Sequence, residues 1–134
     1  MANALFPKWK EQLLQFTANN NLSAGTVKVA LVDTGVYTYN SADQFYTSVS
    51  SAVVGTPQTI GSKTFTNGVF DGGNVTFTAV TGASVEALVL YVDTGTAGTS
   101  PLVAYIDTSV TGLPVTPNGG DISITWNASG IFAL

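Results

Sequence analysis

The sequence predicts an all-β domain: a single β-sandwich of jelly-roll type with about eight strands, led by one N-terminal amphipathic helix. Three observations predict it. Apolar residues make up 45% of the 134 residues and charged residues only 9%. A typical soluble domain carries about 25% charged residues, so Thr, Ser, Asn and Gly must cover this surface. Short runs rich in β-branched residues recur between Gly, Asn and Pro turns, the spacing expected of a sandwich or barrel. The length suits one domain with a real core and is too short for two ordinary ones.

Residues 4–18 read as the helix. Leu5, Trp9, Leu13 and Phe16 recur at spacings of four, four and three, which line one helical face. Asn3 is the expected N-cap, and Pro7 falls in the first turn, where a missing N–H costs little. "NNNLSAG" ends the helix. Residues 1–22 are therefore read as a helical arm, and 23–134 as the β-sandwich. The arm either docks on its own domain or packs on a neighbouring subunit.

"TVKVALV" (Thr26–Val32) is a strand. In "VYTYNSADQFYTSVSS" Ser41 is placed to cap a short helix running to Val49. Thr56-Pro57 marks a break. Asn67-Gly68, between "KTFT" and "VF", is a strong hairpin-turn pair. "NVTFTAV" alternates, placing Val75, Phe77 and Ala79 inward. "SVEALVLYV" loses alternation after Glu86, so both its faces are expected to be covered at the centre of the core. "LVAYI" follows. "VTGLPVTPNGG" is a long connection, "DISITWN" places Ile122, Ile124 and Trp126 inward, and "GIFAL" closes the chain.

"VDTG" occurs at Val32–Gly35 and again at Val92–Gly95. Paired Asp-Thr-Gly motifs after apolar strands invite an aspartic-protease reading, in which Asp33 and Asp93 share a proton around one water. The residues weigh against it. A third strand ends alike, in "YIDTS", which suggests a recurring turn: the Asp accepts from the N–H two residues on, and Gly supplies a positive φ. Val36 and Thr96 follow the tripeptides, where such enzymes carry Ser or Ala. Two halves of this size also leave little chain for a cleft.

No His and no Cys occurs, which removes the usual general base, thiolate nucleophiles and the commonest metal ligands. The chain is read as non-enzymatic, with no cofactor and no resident metal, although an ion on an oligomer axis stays open. Net charge is −4, with four Lys and no Arg. No basic stripe exists for phosphates, so nucleic acid is not an expected partner. Nor is a membrane, since no apolar run reaches the roughly 18 residues of a span. "MANALFPKWKEQLLQF" has lysines inside the apolar pattern and does not read as a secretory leader, so folding in a cytoplasm is expected.

Two groups of residues stand out as interface candidates. One is the helical stripe Leu5, Trp9, Leu13 and Phe16. The other is the aromatic stretch Tyr37, Tyr39, Phe45 and Tyr46. Beside Asn40, Asp43 and Gln44 the second could hold a sugar; the simpler expectation is that it covers a sheet edge or meets another subunit.

The order of motifs from "TVKVALVDTGVYTYNSADQF" through "VTFTAVTG" and "EALVLYVDTG" to "LVAYIDTSVTGLPVTPNGGDISITW" resembles a family of small structural proteins of tailed bacteriophages. The resemblance spans nearly the whole chain, and "GLPVTPNGGDI" is its most specific part. It implies a virion protein without catalysis, assembled in the host cytoplasm. Within the virion, the lack of positive charge disfavours a genome-contacting place. A capsid decoration (cement) protein is the expected role: a homotrimer bridging neighbouring copies of the major capsid protein. A receptor-binding or fibre-tip module contacting host glycan is the alternative, followed by a tail or connector component.

Overall fold

The computed structural model describes residues 3–108 and 110–134. The chain forms β1 (Ala4–Leu5), α1 (Pro7–Leu14), β2 (Thr26–Val32), β3 (Val53–Thr59), β4 (Val69–Phe70), β5 (Val75–Phe77), β6 (Ala87–Asp93), β7 (Leu102–Ile106), β8 (Ile122–Ile124) and β9 (Phe132–Ala133). It is an all-β fold with one short helix. A five-stranded antiparallel sheet runs β1-β7-β6-β2-β3, and the pairs β4-β9 and β5-β8 form two further small sheets.

β6 occupies the middle of the large sheet, and Ala87 through Val92 are all buried. Its unbroken apolar run fits a strand covered on both faces. On one face lie Val89, Tyr91 and Tyr105, roofed by the loop from Tyr37 to Ala52. Phe70, Phe77, Ile122 and Ile124 join Val29, Leu31 and Leu90 in one buried cluster.

The predicted helix over 4–18 is corrected to Pro7–Leu14. The residue before a proline is disfavoured in the α region, and Phe6 is extended at φ −67°, ψ 123°. Ala4–Leu5 therefore becomes a strand, pairing with Tyr105 and Ala104. Asn3 does not cap the helix. Its Oδ1 accepts the N–H groups of Asp107 (2.8 Å) and Thr108 (3.0 Å), and its Nδ2 donates to the Thr108 carbonyl, latching the N-terminal segment to the end of β7.

The helix closes in a Schellman turn. The Phe16 N–H reaches the Leu13 carbonyl and the Thr17 N–H reaches that of Gln12. Phe16 thus takes the left-handed position at φ +55° that normally belongs to glycine. It is 95% exposed, so no packing offsets the strain. Replacing Phe16 with Gly is expected to raise the unfolding free energy by about 0.5–1 kcal/mol, as read by urea denaturation. In about 1 M salt, where the chain is expected to be a monomer, a loss of stability would show that the ring packs on its own chain after all.

Other expectations change for local reasons. The stretch after Ser41 forms two 3₁₀ turns, Tyr46–Ser48 and Ser50–Ala52, instead of a helix. β3 runs through Thr56-Pro57, which read as a break, and through Gly55 beside it. It is an edge strand with a register shift opposite Val29–Leu31, and such a strand tolerates both residues. Asn67 (φ +55°) and Gly68 (φ +76°) take positive φ as expected, but the two-residue hairpin is corrected to a 3₁₀ turn, Thr66–Gly68, with Thr64 bridged to Asp71 and Val69–Phe70 paired with β9 instead. Ala79 leaves the strand at φ +49° and is exposed; Val80 turns inward in its place.

Candidate interaction surface

The main concavity is an apolar groove of about 770 Å³ where α1, the loop 15–25 and the β4-β9 pair meet. Trp9 lies at its base, 2% exposed, edge-on to Phe132 at 5.7 Å, with its indole Nε1 donating to the Asn20 carbonyl. Phe16, Phe65 and Leu134 form exposed parts of its wall. None of the lining residues carries an ionisable side chain. Lys63 braces the loop beneath it, donating from Nζ to the carbonyls of Leu22 (2.7 Å) and Gly25 (2.6 Å).

Of the helical candidates, Trp9, Leu13 and Phe16 line this groove. Leu5 lies in β1, half-buried against the main core. The stripe predicted from helical spacing is therefore split between a strand, a helix and a cap. Phe65 and Leu134 also belong to the surface, and sequence reasoning missed them. Phe65 precedes the Thr66–Gly68 turn and Leu134 follows β9, with no periodicity to mark either; only the meeting of β4 with β9 gathers them here.

The aromatic stretch is mostly spent within the chain. Tyr37 is buried, its hydroxyl donating to Asp43 Oδ2 at 2.7 Å, and is corrected from surface contact to core. Tyr39 packs on Phe6 (5.2 Å) and Tyr105 (5.4 Å). Tyr46 stacks on Tyr91 with ring centroids 4.1 Å apart. Phe45 bridges to Pro101. These rings cover the sheet, which leaves few open aromatic faces for a sugar.

All five tyrosines are shifted upward, mainly because burial penalises the phenolate. Tyr105 is pushed up to about 12, with Asp107 adding to the effect of burial. A raised folded value makes stability complete below the unfolded value near 10 and lost as pH rises through the folded one. Phenolate absorbance is therefore expected to stay low in the native protein at about pH 10.5 and to appear on addition of denaturant. Native absorbance matching five free tyrosines would contradict the packing described.

The two Asp-Thr-Gly segments do not meet. Thr26 pairs with Asp93 and Val32 with Ala87, so Asp33 and Asp93 sit at opposite ends of β2. Seven residues at about 3.3 Å each hold them roughly 20 Å apart, far beyond a shared proton. Each carboxylate closes a turn instead: Asp33 Oδ1 accepts the Gly35 N–H (2.8 Å) and Asp93 Oδ1 that of Gly95 (2.9 Å). Gly95 has the expected positive φ of +88°; Gly35 does not belong to that set. The third copy, "YIDTS", ends on Ser109, which lies outside the described residues. Asp93 is also ion-paired to Lys28 at 2.8 Å, and that contact first, then the Gly95 N–H, holds it below the usual carboxylate range. Glu86 accepts from the Thr34 N–H (3.0 Å) and hydroxyl (2.9 Å) and is likewise lowered, chiefly by Ser84.

These carboxylates are thus used as turn locks. No protein-family model matches the chain, and no curated protein matches it.

Proposed function

We propose that this chain is a non-enzymatic virion structural protein of a tailed bacteriophage. In this reading it is a capsid decoration (cement) protein, a trimer that bridges neighbouring major capsid proteins. The finer architecture that goes with it is a jelly-roll-type sandwich, the five-stranded sheet facing the β5-β8 and β4-β9 pairs. One observation carries the reading: an uncharged apolar groove walled by an exposed, conformationally strained Phe16. Strain at an exposed aromatic is retained where the ring does something, and apolar concavities of this size mark contact sites. The resemblance to phage structural proteins supplies the setting.

Copy number in purified virions tests the reading. Hundreds of copies per particle, stripped without loss of the shell lattice, are the expected result. A handful of copies, or signal confined to tails, would move the protein off the capsid.

A further inference from the structure

The molecule is electrically lopsided along β2. At the Thr26 end lie the groove and all four lysines: Lys8 and Lys10 flank Trp9, Lys63 braces Leu22 and Gly25, and Lys28 pairs with Asp93. Lys8 is paired with Glu11 (3.3 Å); Lys10 is exposed and has no ion pair among the described residues. At the other end, the pairings of β2 with β6 and of β6 with β7 bring together Asp33, Glu86 and Asp107, with Asp43 behind them on the Tyr37 hydroxyl. From this acidic end projects the turn Asp33–Tyr37, closed by the Asp33 carboxylate, with Val36 61% exposed on it.

One end is therefore an apolar hole whose four lysines are largely balanced by Glu11, Asp71 and Asp93, and the other an exposed apolar turn among carboxylates with no lysine beside them. We propose that the groove is filled by a second copy of this chain, the Thr34–Val36 turn of one protomer seating against Phe16, Phe65 and Trp9 of the next. The inference rests on the homo-oligomeric part of the proposed function and says how the trimer is made. Such a contact joins two different patches, and a heterologous contact closes into a ring when its rotation allows. Three protomers then form the sides of a triangle. A groove-to-groove dimer would instead bring the two lysine-bearing ends together, while the acidic ends stayed uncompensated.

Two variants separate the patches without attacking the core. Phe16→Gly removes the groove wall and relieves its own strain. Val36→Asn removes the knob and leaves the carboxylate-closed turn in place. In light scattering or sedimentation at low salt, the unaltered protein is expected at the mass of a trimer. That mass falls toward one chain as salt rises to about 1 M, where the Debye length is about 3 Å. Each variant alone is expected to be a monomer with unchanged far-ultraviolet circular dichroism. Mixed in equal amounts, they are expected to give a one-to-one heterodimer, because the intact knob of one fits the intact groove of the other. Full assembly of Val36→Asn alone, or no heterodimer from two folded variants, overturns the head-to-tail contact. A monomeric unaltered protein also overturns it. Hundreds of copies on virions would in that case leave the decoration reading standing, so the two failures are distinguishable.

Discussion

Trp9→Ala is expected to destabilise the protein by about 3–5 kcal/mol, the usual cost of truncating a buried aromatic to Ala. Trp9 is 2% exposed and the only residue of α1 that is buried. Its ring meets Phe132 edge-on, and its Nε1 holds the Asn20 carbonyl. Deleting it removes both the transfer energy of the indole and a buried hydrogen bond. Little fills the space, because the groove already opens above it. Against a total of about 5–15 kcal/mol for a typical domain, the midpoint of urea unfolding should fall by about a fifth or more. A change below about 1 kcal/mol would mean that α1 contributes little to the folded state. The Trp9→Phe variant should recover most of the packing while leaving the Asn20 carbonyl without its donor.

Gly112→Ala is expected to cost about 2–4 kcal/mol, through backbone geometry alone. Gly112 has φ +110°, outside even the left-handed region that Asn or Asp visits. A Cβ there would stand 2.6 Å from the Ser123 carbonyl oxygen and 3.3 Å from the end of Ile124. Ser123 belongs to β8 and is paired with Thr76 of β5, so it cannot retreat without opening that ladder. Chemical denaturation of Gly112→Ala beside Gly98→Ala provides the control. Gly98 has open space where its Cβ would go and no positive φ, so its change should be within about 0.5 kcal/mol. Equal losses at both positions would sink the steric argument.

Much of the fold was legible because the relevant signals are local. β5 and β8 alternate cleanly, with Val75, Phe77, Ile122 and Ile124 buried and Thr76 and Ser123 exposed. β6 announces its place by losing alternation. The Asn67-Gly68 turn follows from the φ values its residues accept. What was illegible depends on partners distant in sequence. Ala4–Leu5 reads as the first turn of a helix until Pro7 forbids it and β7 offers a ladder. β3 hides behind Gly55 and Pro57, which an edge position with a bulge accommodates. The groove is assembled from α1, the 62–70 turn and the last residues, so no single window of sequence contains it. Trp9, Leu13 and Phe16 were legible as an apolar set, but their spacing misassigned Phe16 to a helical face when it is the cap.

The order β1-β7-β6-β2-β3 interleaves early and late parts of the chain. β2 is complete at Val32, yet its neighbour β6 begins only at Ala87. During synthesis at about 5–20 residues per second, β3 can cover one edge of β2 early, but the other edge of this strongly apolar strand must wait several seconds for β6. Non-local pairing of this kind is slow to nucleate. The nascent polypeptide should consequently be a chaperone client until Ile106 has left the ribosome, and truncation before β6 should yield insoluble product.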